Sequence, residues 1–102
     1  MVIELLKFKM DPAVREKFIQ KDEDIWTNAL RKYSGFLGKE VWINPNDKGE
    51  VTIIVQWETR EQWKSIPQKD LDLIEAKFDS SLDFNYEMTE SSEYQVRKFP
   101  RR

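Results

Sequence analysis

Two carboxylates stand where carboxylates are out of place. Asp22 falls near the middle of the apolar arc of a predicted helix, and Glu4 shares a strand row with Val2, Leu6 and Phe8. Burial of such a group beside a pocket disfavours its charged form, which raises its pKa and suits it to proton transfer. If the first strand and first helix pack together, Glu4 and Asp22 become a candidate catalytic pair holding one proton between them. Plainer readings stand beside this one. Asp22 also fits a partly exposed residue, a partner of Arg15 on the same arc, or an acceptor for a Trp indole N–H. A one-residue slip in the strand row turns Glu4 to the other sheet face. Trp26, Tyr33 and Trp63 are the candidate substrate-binding residues, although large aromatics, Trp57 included, more commonly fill cores.

What is missing narrows the chemistry further. The chain has no His and no Cys, so it holds no Ser-His triad, no Cys nucleophile and no ordinary zinc site. No metal site is expected, since Asp47 sits alone in a turn. A haem iron would have to take Tyr or Met as its ligand. Acid–base work is left to carboxylates, Lys and Tyr.

The elements that must position these residues follow a simple order. Residues 2–9 read as a strand with apolar side chains on both faces. Asp11-Pro12 opens a helix expected to run to about Lys32, with Asp11 as cap. On it Val14, Phe18, Ile19, Ile25, Trp26, Ala29, Leu30 and Tyr33 share an arc of roughly 160°. Two strands follow, roughly 36–44 and 50–58, joined by Pro45-Asn46-Asp47-Lys48-Gly49, with Gly49 available for a positive φ. Gly38 inside the first of them suggests a bulge. Thr59 to Gln62 reads as a capping box. Pro67 then interrupts or restarts the helix, with Ser65 as a second cap and an apolar stripe reaching Leu82. Phe84, Tyr86 and Met88 alternate as a strand, a polar break spans Thr89 to Glu93, and Tyr94–Phe99 resumes it. Residues 97–102 form a basic tail.

The order is therefore β-α-β-β-α-β in one domain over residues 1–102, an α+β ferredoxin-like fold with an antiparallel sheet and both helices on one face. Four Trp, six Phe and three Tyr in 102 residues argue for a packed domain. Apolar residues also face the side the helices leave bare, so a second copy is expected to cover it, giving a homodimer closed as a barrel. Trp42 and Leu73 are candidates for contacts between copies. The net charge of −2 with mixed signs gives no reason to expect nucleic acid as a partner. No stretch approaches the roughly 18 apolar residues of a membrane span. MVIELLKFKM lacks a secretion pattern, so a cytoplasmic location is expected.

The run VTIIVQWETREQW is a strand ending in Trp, then a charged residue, Thr and a helix carrying an aromatic at its fourth residue. With the amphipathic helix ending near Tyr33-Ser34-Gly35-Phe36, it resembles the antibiotic biosynthesis monooxygenase superfamily. REKFIQKDEDIWT, GFLGKEVWINP, REQWKSIP and EYQVRKF make the chain most similar to a family known from cyanobacteria within it. The resemblance implies a dimeric α/β barrel and a cofactor-independent monooxygenase or isomerase acting on a small hydrophobic or aromatic compound. The quinone-forming members use Trp, Tyr or Asn to hold a phenol, parts that Trp26, Trp63 and Tyr33 would play here. The haem-degrading members use a helix His, a pocket Trp and a first-strand Asn. This chain has no His, and the other two positions fall near Ile66 and Glu4, so neither haem nor any other cofactor is expected. The alternative is a non-catalytic dimer that binds a hydrophobic ligand or a protein partner.

Overall fold

A computed structural model describes residues 1–99. Pro100, Arg101 and Arg102, the end of the expected basic tail, lie outside the described residues. Strands β1 (Val2–Lys9), β2 (Phe36–Asn44), β3 (Asp47–Trp57) and β4 (Glu87–Gln95) form one sheet in the order β2-β3-β1-β4. All three pairings are antiparallel. With the helices inserted after β1 and β3, this is the ferredoxin-like fold.

The two central strands build the core. On β3, Val51, Ile53, Val55 and Trp57 are all buried. Their partners on β1 are Phe8, Leu6, Glu4 and Val2 in that order. Phe18, Leu30 and Phe78 come down from the helices, and Ile66 from the link between the last two of them, to meet these strands. Burying apolar side chains of this size contributes about 1.5–3 kcal/mol each before chain entropy is counted.

The first helical stretch, residues 12–30, is not the regular helix its periodicity suggests. It opens as a 3-10 turn at Pro12–Val14, with the Asp11 carboxylate accepting from the Ala13 N–H at 2.8 Å. It continues as α1 (Arg15–Asp22), widens into a π-helical turn at Glu23–Thr27, and ends as α2 (Asn28–Leu30). A π turn bonds residues five apart rather than four. That swings Thr27 towards the face that carries Asp22, and both are buried. The chain leaves the helix at Leu30, two residues earlier than expected, and reverses through Gly35, whose φ is 90°.

The hairpin between β2 and β3 turns tightly at Pro45-Asn46. The Asn44 side chain accepts from the Asn46 N–H at 2.9 Å, and β3 begins at Asp47, earlier than expected. Gly49 does not take a positive φ, since Gly35 alone does so among the described residues. Its need for glycine is steric: a Cβ there would overlap the Met10 carbonyl oxygen. The irregularity expected at Gly38 is present as a register shift between Phe36 and Gly38.

Helix α3 (Arg60–Lys64) starts as the capping box implies, with Thr59 Oγ1 accepting from the Gln62 N–H at 3.1 Å. Ser65 closes α3, and α4 (Gln68–Ser80) starts after Pro67. The last strand departs most from its sequence pattern. β4 is continuous through the polar run, while Phe84 and Tyr86 precede it. As an edge strand pairing only with β1, it tolerates Ser, Thr and Glu facing solvent. Tyr86 packs instead against Phe8, Phe18 and Phe78, with ring centroids 5.3–5.8 Å away.

Among the described residues, no helix lies on the opposite sheet face. Alternation puts Ile3, Leu5, Ile54, Trp42 and Tyr94 there. Trp42 and Tyr94 are 50% and 55% exposed.

Candidate active site in the cavity between helices and sheet

Paired residues in neighbouring strands share a face. One row therefore crosses the sheet beneath the helices as Lys39 on β2, Val55 on β3, Glu4 on β1 and Glu93 on β4. Above it lies a cavity of about 360 Å³. That is near the small end of the roughly 300–1,000 Å³ typical of small-molecule sites. The cavity follows β1 from Phe8 through Leu6 to Glu4, a length of about 13 Å. Its Phe8 end is a cluster of four rings completed by Phe18, Phe78 and Tyr86. Its Glu4 end carries Glu4, Asp22 and Lys39, while Glu75 joins the lining near Tyr86. Trp26 from the π-helical turn and Trp63 from α3 also line it.

Asp22 and Glu4 both line this cavity. Asp22 does not pair with Arg15, whose guanidinium bonds Glu16 at 2.9 Å. Its partner is Lys39, with Nζ 2.5 Å from Oδ2 and both side chains nearly inaccessible, at 5% and 6% exposed. The ammonium approaches off the hydrogen-bonding direction, so Oδ2 lacks a hydrogen bond of normal geometry. Burial pushes the Asp22 carboxyl above the usual range, and the Lys39 charge pulls against that rise.

Glu4 has no ion pair among the described residues. Burial pushes its carboxyl up as well, against the pull of the Trp57 indole N–H and the charges of Lys64 and Lys39. The indole N–H itself finds no hydrogen bond of normal geometry, so its hold on Glu4 is weak. Lys39 thus acts on both carboxylates.

Trp63 forms part of the wall with the Lys64 ammonium 4.0 Å from its ring centre. Tyr33 is not among the residues lining the cavity, and its hydroxyl donates to Asp70 Oδ2 at 2.8 Å. Lys39 is the residue that sequence reasoning passed over. Its signal was the same as that of Glu4, a charge on an otherwise apolar row, here Leu37, Val41 and Ile43.

The profile of the antibiotic biosynthesis monooxygenase family matches residues 1–68, two-thirds of the chain. The chain belongs to this family. No curated protein matches it significantly. Among solved structures, it is similar to the monooxygenase of ActVA-Orf6 from Streptomyces coelicolor, solved with nanaomycin D. That pair has 18% identity and a TM-score of 0.72, covering 99% of this chain and 91% of the other. SnoaB, a cofactor-independent oxygenase from Streptomyces nogalater, gives 14% identity and a TM-score of 0.67, covering 96% and 94%. A dimeric ferredoxin-like protein from an uncultured marine organism gives 13% and 0.68 over the full length of both chains. At these identities the likeness is one of fold. The antibiotic biosynthesis monooxygenase match takes in Glu4, Asp22, Lys39, Trp26 and Trp63. It stops before most of α4 and all of β4, which supply Phe78, Met88 and Ser91 to the cavity.

Proposed function

We propose that the protein is a cofactor-independent monooxygenase that oxidises a small aromatic compound bearing an acidic hydroxyl, and that it works as a homodimer. The observation that carries this reading is a ring-lined cavity of about 360 Å³ with a carboxylate, Glu4, that has no ion-pair partner among the described residues. An aromatic substrate lies against Trp26 and Trp63, and Glu4 takes its hydroxyl proton. The resulting electron-rich ring supplies the electrons for dioxygen, the oxidant. A ring C–O bond forms, the O–O bond breaks, and phenol plus dioxygen give quinone plus water. All electrons come from the substrate, which is why the reaction needs no cofactor. The oxygenases of similar fold lend support. The dimer reading rests on the bare sheet face with Trp42 and Tyr94, and the dimeric ferredoxin-like relative agrees with it.

The test is dioxygen consumption with a panel of naphthols and anthracenols. One dioxygen per quinone formed, with label from ¹⁸O₂ in both quinone and water, is the expected result. Binding without any uptake would favour the second reading, a non-catalytic domain that holds a hydrophobic ligand. The neutralising contact of Lys39 with Asp22 is the observation on that side, since it leaves one carboxylate rather than two for acid–base work.

A further inference from the structure

The charged end of the cavity holds two carboxylates and one cation, and the cation is under-used. Lys39 is the one ammonium among the described residues that line the cavity. It carries three N–H donors. Its one ion pair among the described residues is with Asp22 Oδ2, which leaves N–H donors for a ligand. A buried pair of this kind is often no more stabilising than apolar side chains of similar volume. The same row of β2 continues with Val41 and Ile43, so apolar residues are accommodated there. Stability alone gives no reason for a lysine.

Position supplies the reason. Glu4 and Lys39 flank Val55 from the strands on either side, with Cα atoms about 10 Å apart. An oxygen atom of a ligand resting over Val55 lies between a group that accepts a proton and a group that meets the negative charge left behind. We propose that Lys39 is the specificity-determining cation of this cavity, pairing with the oxyanion formed when Glu4 removes the proton of an aromatic hydroxyl. The ligand O–H bond breaks, its electron pair stays on the ligand oxygen, and the proton bonds to the Glu4 carboxylate. Two carboxylates and one ammonium become one carboxylate, one ammonium and one oxyanion, so the net charge of the enclosed group does not change. Asp22 is then a positioning residue that holds the ammonium over the row.

The other charges near Glu4 are placed to leave this exchange undisturbed. Glu93, the next residue on the row, is taken up by Arg60 at 2.8 Å. Lys64 on α3 acts on Glu4 from outside the cavity lining. The inference rests on the reading of the cavity as a site for an aromatic hydroxyl compound, and the experiment separates the two.

The probes are 4-nitrophenol, whose ionisation is visible in its absorption spectrum, and 4-nitroanisole, which has the same ring and no proton to lose. Both are titrated into the protein buffered below the nitrophenol's own pKa. The expected result is that both bind and that the bound nitrophenol shows its phenolate spectrum. Lys39→Met should abolish that spectrum and weaken nitrophenol binding by about tenfold to hundredfold, while nitroanisole binding stays within about twofold. Lys39→Arg should retain the phenolate band. Because Lys39→Met strands Asp22, the double variant Asp22→Asn/Lys39→Met is measured alongside it and should show the same loss. Nitrophenol that ionises equally well in wild type and in the folded double variant would overturn the role of Lys39 and leave the cavity reading standing. Failure of both probes to bind wild type would overturn both.

Discussion

Burial penalises the Glu4 carboxylate and raises its pKa in the folded chain. Its contribution to stability is therefore complete below the ordinary value of 4.5 and is lost as pH rises through the higher folded value. Glu4→Gln mimics the protonated form without titrating. At neutral pH the variant should melt a few degrees above wild type, and the two curves should converge in acid. It should also abolish dioxygen uptake, so that stability and activity move in opposite directions. Equal melting temperatures at neutral pH would show that Glu4 costs the fold nothing. Burial raises the Asp22 pKa as well, but its charge has a partner in Lys39. Asp22→Asn leaves an uncompensated buried ammonium and should cost about 3 kcal/mol in urea unfolding. Asp22→Leu/Lys39→Met should recover to within about 1 kcal/mol of wild type. A double variant no more stable than the single one would mean the pair is irreplaceable for packing.

Element boundaries show which physics a linear sequence carries. Caps were legible, because Asp11 and Thr59 act on N–H groups two and three residues away. Thr59→Ala should therefore cost about 1 kcal/mol in unfolding free energy. The antiparallel sheet was legible from the β-α-β-β-α-β order of elements, and the buried face of β3 from the alternation of Val51, Ile53, Val55 and Trp57. The π-helical turn was not, since a 3.6-residue period projected through Glu23–Thr27 assigns Thr27 to the wrong side. Nor was β4, where polar residues gain strand structure from pairing with β1 rather than from their own preferences. Gly49 was singled out correctly as a special glycine but for a local reason, φ, when the true constraint comes from Met10, far away in sequence. Gly49→Ala accordingly should destabilise by more than an ordinary strand Gly→Ala change, which would be neutral or favourable. A variant as stable as wild type would show that the backbone can yield there. In the site, residues that violate their own pattern were visible one at a time. Lys39 needed the partner strand register to reveal which cavity it entered.

At the scale of the whole molecule, the sheet has one face under helices and one without. Trp42 and Tyr94 on the bare face, with Ile3, Leu5 and Ile54 between them, form the surface proposed to meet a second copy. Size-exclusion chromatography with light scattering should return twice the chain mass at micromolar concentration. Trp42→Glu puts a charge on the β2 side of that contact and should weaken dimerisation by about thirtyfold or more. Its cavity, on the other face of the sheet, should bind nitroanisole as wild type does. A dimer indifferent to Trp42→Glu would move the contact elsewhere on the surface.

Val55 sits between Glu4 and Lys39, and on the proposed reading of the cavity its role there is insulation. Opposite charges facing one cavity tend to close into a pair even across an intervening strand, and a closed pair would quench the base and occupy the cation at once. An isopropyl group of moderate height keeps the circuit open while leaving room for a ligand atom to complete it. Alanine at position 55 would let the two side chains short-circuit. The protein would keep its charges, its cavity and its fold, yet the bound phenol would stay neutral.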